Sequence, residues 1–459
     1  MSNKDGLEVS KLRSSFSRAV GVLVGGTAFA HAITALALPV LTRLYSPADF
    51  SALAVFAGLL SIISVAACLR FDVAVSIPEA DSDAINVLAL ALVCAALVAG
   101  LLALLVVIAP MSLMAALKQP ALVPYFWLLP LGVLLAANSS ALQNWFIRKK
   151  EFGLIARSRI GQSAVGTGTQ LGLGFAGLAS LGLLTGYVMN IGAACIVLGY
   201  RLLRGERSML SSITRQNMRA MFVAYGQFPK YSTIEALSNS AAIQVPIILI
   251  AGLAIGPEAG YLMLAISVMQ APMALIGNAI GQVYLSRAPD EHRAGRLGSF
   301  TVDVLAGLMK TGVGPIVFAG IVSPAAFGIV FGPDWHRAGE LVAWMTPWFA
   351  LQFLASPVSM ALLITNRHQV ALALQVFSMV IRVAAVYGVS IYKPVYIAEA
   401  YALSGAAVYF VYLFIVLRAV DVQPSVVVKH ALKLWKGGVV WVLAGVFFVV
   451  SINSLGRLF

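Results

Sequence analysis

The chain has 459 residues, of which 60% are apolar and only 11% charged, with a formal net charge of +13. A soluble domain carries roughly 25% charged residues, so this composition excludes an ordinary soluble protein. The longest run of consecutive basic residues is Arg148-Lys149-Lys150, and cations spread this thinly give no reason to expect a nucleic-acid partner.

Thirteen apolar stretches follow one another. Each is long enough, or nearly so, to bridge a hydrocarbon layer about 30 Å thick, which takes roughly 20 residues. The first, Val20–Leu41, places Thr27, His31 and Thr34 on one helical face. It is too long for a signal peptide and no small-residue cleavage site follows, so it reads as a retained span. Ala52–Leu69, Ile85–Ala109 and Ala121–Ile147 come next. The fifth, Ile160–Gly177, carries the stripe Arg159, Gln162, Ser163, Gly166 and Gln170. Leu181–Gly199 completes the first six. Ile234–Leu253 adds Ser232, Glu235 and Asn239, and Leu262–Gln282 follows. The ninth, Val304–Phe331, carries Asp303, Gly307, Lys310 and Gly314. After Leu341–Thr365, the eleventh, Val370–Ile391, carries Gln375, Ser378 and Arg382. Val395–Leu417 and the short Val439–Ile452 close the series. The expected fold class is therefore an all-α polytopic membrane protein.

An ionisable group at the centre of a span costs about 2.5–3.5 kcal/mol on insertion scales. Polar stripes at helical spacing are therefore expected to face a shared aqueous cavity. Blander readings stand beside this one. Arg157, Arg159 and Lys230 can snorkel to an interface. Asp303 and Lys310, about 10 Å apart along one helix face, can offset each other. His31 can be a packed, hydrogen-bonded residue, and Glu399, near a span end, a solvated one. Lys310 and Arg382 outnumber unpaired deep acids. A cationic cavity suits an anionic substrate, because arginine forks and lysine ammonium groups both bind phosphate.

The loops carry a second signal. With the N-terminus in the cytoplasm, inner segments hold Lys4, Lys11, Arg13 and Arg18; Arg70; Arg148, Lys149 and Lys150; Arg201, Arg204, Arg207, Arg215 and Arg219; Arg287, Arg293 and Arg296; Arg367; and Arg418, Lys429, Lys433 and Lys436. Outer segments hold only Arg43, Lys118, Arg337 and Lys393, with Arg457 if the last stretch crosses. This is the positive-inside pattern. The longest inner segment divides the chain into an N-terminal bundle of six helices over 1–200, a connection over 201–230, a second six-helix bundle over 231–418 and an extra segment over 419–459. Ser46-Pro47-Ala48-Asp49-Phe50 and Gly256-Pro257-Glu258-Ala259-Gly260 open the second and eighth spans about 210 residues apart. An offset of six spans makes the two halves a parallel repeat.

No G-x-x-x-x-G-K-[ST] loop, G-x-S-x-G elbow, H-E-x-x-H pair or metal-spaced cluster occurs in the sequence. Cys68, Cys94 and Cys195 lie inside apolar stretches and read as small buried hydrophobes. The expectation is a protein that is not an enzyme and carries no cofactor and no metal.

Several stretches together resemble one family. Gly25-Gly26-Thr27-Ala28 and Leu38-Pro39-Val40-Leu41-Thr42-Arg43-Leu44-Tyr45-Ser46-Pro47-Ala48-Asp49-Phe50 look like the N-terminal signature of Wzx-type polysaccharide flippases. Leu69-Arg70-Phe71-Asp72-Val73-Ala74-Val75-Ser76-Ile77-Pro78 resembles the stretch after that family's second span. Asn144-Trp145-Phe146-Ile147-Arg148-Lys149-Lys150-Glu151-Phe152, with Arg159-Ile160-Gly161-Gln162-Ser163, is similar to its inner loop and fifth span. Ala271-Pro272 and Ile276-Gly277-Asn278-Ala279-Ile280-Gly281-Gln282-Val283 resemble its eighth. Ser51 departs from the expected glycine, and the C-terminal stretch exceeds the family's twelve-span core.

The resemblance implies two six-helix bundles working by alternating access, and kinship with MATE-type antiporters. It implies transport of undecaprenyl-pyrophosphate-linked oligosaccharide from the inner to the outer leaflet of the bacterial plasma membrane. Its partners are then the lipid-linked oligosaccharide, membrane lipids and a polysaccharide polymerase. The candidate substrate-binding residues are Arg382, Lys310, Arg159, Gln162, Gln375 and His31, with Glu235 and Asp303 for ion coupling. Two other readings compete. A cation-coupled multidrug exporter would use Glu235 and Asp303 in an acidic cavity. A membrane polysaccharide polymerase or glycosyltransferase would need longer outer loops than these.

Overall fold

The computed structural model describes Gly21 and residues 25–108, 119–433 and 435–455. The N-terminal cations Lys4, Lys11, Arg13 and Arg18, together with Lys118 and Arg457, lie outside the described residues, as do the side chains of Ala271, Pro272, Ile276, Asn278, Lys433 and Lys436. The described residues form helices and no strand. In chain order the main ones are α1 (Gly25–Leu44), α2 (Pro47–Ala67), α3 (Asp81–Ile108), α4 (Leu128–Arg148), α5 (Phe152–Phe175), α6 (Ala179–Gly205) and α7 (Thr233–Leu253). They continue with α8 (Glu258–Arg293), α9 (Leu297–Val330), α10 (His336–Val358), α11 (His368–Tyr392), α12 (Ile397–Ala419), α13 (Pro424–Lys433) and α14 (Trp435–Leu455).

Nine helices among the described residues are long and apolar enough to cross a membrane. The number is ten if Pro424–Leu432 and Gly437–Ile452, which meet at 56°, make one bent span. Thirteen stretches are expected from the sequence. The difference lies partly in α4 and α5, which have span length but carry Asn138, Gln143 and Asn144, and Arg157, Arg159 and Gln162, among their apolar residues. The chain is an all-α polytopic membrane protein.

Local chemistry sets the helix boundaries. Ser46 and Asp49 form a reciprocal capping box at the start of α2. The Ser46 N–H donates to Asp49 Oδ2 at 2.9 Å, and the Asp49 N–H donates to Ser46 Oγ at 3.3 Å. Pro47 occupies the first turn, where no intrahelical N–H partner is lost. Leu69 and Arg70 take left-handed backbone (φ 48° and 62°) and break the chain after α2.

The chain folds as two compact units. The first comprises the residues up to Tyr45 and Val55–Gln244; within it α5 packs on α6, α6 on α4 and α4 on α3. Gly182 and Gly186, four residues apart on α6, let α5 approach closely, with Gln170 lying against Gly186. Tyr45, 2% exposed, donates its hydroxyl to the Gln170 carbonyl at 2.6 Å. The second unit comprises Ser46–Ala54 and Val245–Phe459. Its central helix is α10, which packs on α8, α9 and α12, while α14 lies on α9. Leu341, Met345, Phe349 and Val358 of α10 are almost completely buried as a result.

Candidate functional site

Arg382 sits within α11 and is only 6% exposed. Three rings of the neighbouring helices surround its guanidinium. The Trp348 ring of α10 lies 4.6 Å from it, and Tyr401 and Tyr409 of α12 lie at 5.5 and 6.0 Å. Nη1 donates a long hydrogen bond, 3.4 Å, to the Tyr401 hydroxyl. Nε is buried without a hydrogen-bond partner, and no carboxylate pairs with Arg382 among the described residues. Each desolvated cation–π contact is worth about 2 kcal/mol. The cage therefore carries much of the cost of burying the charge, without neutralising it. Gln375 and Ser378, the other members of this stripe, are half-buried.

Lys310 lies in a π-helical turn, Met309–Val313, inside α9. Such a turn inserts an extra residue into the helical register. The face running from Asp303 through Lys310 therefore does not continue as a simple 3.6-residue repeat to Gly314, which is buried against Trp441. Lys310 lines a groove of about 410 Å³ between α9 and the C-terminal pair α13–α14. The rest of that wall is apolar or glycine, including Met309, Val317, Gly437, Trp441 and Val442. Asp303 and Lys310 are both exposed, and no ion pair joins them among the described residues.

In the first unit, Arg159 Nη1 donates to Thr27 Oγ1 at 2.6 Å, joining α5 to α1. Gln162 is half-buried and His31 exposed. The rest of the α5 stripe turns toward α6. Gly166 lies against Asn190, and Gln170 Nε2 donates to the Leu183 carbonyl at 3.3 Å. Glu235, at the start of α7, is exposed. No group of three or more metal-ligating side chains occurs among the described residues.

Two polar clusters go beyond the sequence reading. Glu399 is not a solvated residue: it is 6% exposed and accepts Arg337 Nη2 at 2.6 Å. The same guanidinium donates from Nε to Glu258 at 3.1 Å and from Nη1 to Glu340 at 3.0 Å. Arg337 thus ties α8, α10 and α12 together at one end of the second unit. The only linear signal is the Arg337–Glu340 spacing on α10, because the other partners lie 79 and 62 residues away. In the first unit, Asp72, 5% exposed, accepts the Ser140 hydroxyl at 2.7 Å, while Arg148 and Lys149 pair with Asp81 at 3.0 and 2.7 Å. Arg148 Nη1 also donates to the Pro78 carbonyl, so the stretches around Asp72 and Arg148, matched separately in the sequence, meet in space.

The fold has solved counterparts. An inward-facing MATE-family multidrug resistance transporter of the MOP superfamily aligns with a TM-score of 0.60 at 13% identity, covering 88% of this chain and 98% of that one. The lipid II flippase MurJ, in an inward closed conformation, aligns with a TM-score of 0.65 at 12% identity, covering 94% and 98%. A MOP superfamily transporter from Pyrococcus furiosus, described as having a binding pocket of reverse polarity, aligns at 0.52 and 14% identity, covering 88% and 96%. No curated protein matches the sequence. A family model does, over residues 40–340, about two thirds of the chain. The fold is thus similar to that of these transporters, and by the family match the chain belongs to the polysaccharide biosynthesis protein family.

Proposed function

We propose that this chain is a flippase that moves undecaprenyl-pyrophosphate-linked oligosaccharide from the inner to the outer leaflet of the bacterial plasma membrane, for surface polysaccharide synthesis. Its N-terminus is cytoplasmic in this reading, and a polysaccharide polymerase takes the delivered unit. One observation carries the proposal: Lys310 has no carboxylate partner among the described residues and lies on the wall of an otherwise apolar groove. That combination of a point cation and an apolar wall matches an anionic amphiphile. Arg382 supports the same chemistry. Its buried charge has no counter-ion among the described residues, and its buried Nε lacks a hydrogen-bond partner that a phosphate oxygen admitted to the site would supply. Arg159, Gln162, Gln375 and His31 supply donors that suit a glycan or phosphate. Glu235 and Asp303 are the carboxylates through which a coupled cation would move.

The test is complementation of a strain lacking its own lipid-linked oligosaccharide flippase. The proposal expects surface glycan to return with no gain in drug resistance. Drug resistance without glycan would instead make the chain a cation-coupled multidrug exporter. Glycan made of longer chains, with flipping unaffected, would make it a polymerase.

A further inference from the structure

Segment 206–227 joins α6 to the membrane-spanning helix that starts at Phe228, so both its ends are tied to the membrane. It contains the short helix Arg215–Ala224. Thr214 caps that helix by accepting the Asn217 N–H at 3.1 Å. The segment is also held sideways against α3. Fully buried Asn86 accepts the Thr214 N–H at 3.2 Å and donates to the Ser212 carbonyl at 3.1 Å. Phe71 meets Phe222 with ring centroids 5.7 Å apart. Asn86 lies about 7.5 Å along the axis from the start of α3. The short helix is therefore fixed at the level where a span ends.

Its outer face has a definite chemistry. At about 100° per residue, Arg215, Arg219, Phe222 and Val223 share one side. All four are exposed, Phe222 by 45% and Val223 by 75%. Arg204 and Arg207, at the end of α6 and just beyond it, are exposed as well. None of these four arginines pairs with a carboxylate among the described residues. Glu206, the one acid of the segment, is already 3.5 Å from Lys149.

A face that mixes guanidinium groups with large apolar side chains suits neither bulk water nor hydrocarbon. It suits the headgroup layer, where guanidinium meets phosphate and the apolar side chains enter the acyl boundary. We propose that Arg204, Arg207, Arg215 and Arg219, with Phe222 and Val223, form a contact surface for anionic phospholipid. This surface is separate from the residues assigned to the transported substrate, and it does not depend on that assignment.

The experiment measures thermal unfolding of the full chain in neutral detergent. The probes are dioleoylphosphatidylglycerol, dioleoylphosphatidylcholine and soluble glycerol phosphate. Phosphatidylglycerol is expected to raise the melting temperature, and raised salt to weaken its effect. The other two probes leave the melting temperature in place. Each arginine exchanged for glutamine raises the half-saturating lipid concentration about fivefold. The quadruple variant R204Q/R207Q/R215Q/R219Q therefore loses the preference, and the four arginine-to-lysine exchanges keep most of it. An equal response to phosphatidylcholine, or a response reproduced by glycerol phosphate, overturns the proposal on the wild-type chain alone, whether or not the variants fold. A folded glutamine variant with an unchanged response assigns the face to another partner and overturns it too.

Discussion

Two arginines of the second unit show how similar charges are held in different ways. Arg337 lies among carboxylates: Glu258 and Glu399 are almost fully buried, while Glu340 is partly exposed. Removing one member of a buried ionic set leaves the others uncompensated, at a cost of about 3–5 kcal/mol. Arg337→Ala is therefore expected to lower stability by that amount in thermal or denaturant unfolding. Glu340→Ala should cost less than about 1 kcal/mol, because its side chain is 41% exposed. Equal losses in the two variants would mean that the network is not what holds α8, α10 and α12 together. Arg382 has rings instead of carboxylates, so its charge is shielded but not neutralised. Arg382→Ala and Lys310→Ala are expected to abolish surface glycan at unchanged protein level. Arg382→Lys should restore it only in part, because a point charge replaces a fork. Lys310→Ala should leave stability within about 0.5 kcal/mol, since Lys310 is exposed. Normal glycan in both alanine variants would remove these residues from the substrate site.

At the scale of elements, the sharpest constraint is backbone meeting backbone. Gly260 in the first turn of α8 lies against the Pro47 carbonyl and the Ser51 N–H at the start of α2, both in the second unit. A Cβ there would stand 2.8 Å from the Ser51 nitrogen, and backbone cannot swing aside as a side chain can. Gly260→Ala should therefore destabilise by about 1–3 kcal/mol. Gly328→Ala on α9, with open space around it, should be neutral or stabilising by up to about 1 kcal/mol. Matching melting temperatures for the two variants would refute the close approach. Both helix starts are visible in the sequence as Pro-containing turns, and their packing on one another is not. The same limit recurs elsewhere. Apolar runs reveal helices because burial in lipid demands continuous apolarity. They do not reveal a π-turn at Met309–Val313, which depends on local hydrogen bonding. Arg382 stands out in sequence as a deep cation, but its cage comes from Trp348, Tyr401 and Tyr409 on other helices. Glu399 looks solvated because it is near a helix start, and only tertiary packing brings Arg337 to it.

For the whole molecule, orientation and energy are the open physical quantities. The distribution of basic residues expects Arg204, Arg293 and Arg367 on the cytoplasmic side and Asp334 outside. All four are exposed, so single cysteines there should be accessible to an impermeant thiol reagent. In intact cells, position 334 should label and the other three should not; the opposite pattern would reverse the orientation. That orientation determines what the membrane potential can do. The sequence contains no nucleotide-binding G-x-x-x-x-G-K-[ST] loop. A pyrophosphate head carries about two negative charges, as phosphate groups do near neutral pH. Moving one charge through 100 mV is worth about 2.3 kcal/mol, so outward movement of this head from a negative interior is downhill by roughly twice that. In the proposed reading Lys310 and Arg382 hold the head, but cations that stay in place do not cancel the charge that moves. Protons carried through Glu235 or Asp303 would change that balance, so Glu235→Gln and Asp303→Asn belong in the same assay. In vesicles reconstituted without ATP, a negative-inside potassium diffusion potential is expected to accelerate flipping of a fluorescent lipid-linked pyrophosphate oligosaccharide. The acceleration should persist in both carboxylate variants. Flipping that required ATP, or that ignored both the imposed potential and ion gradients, would rule out a potential-assisted mechanism.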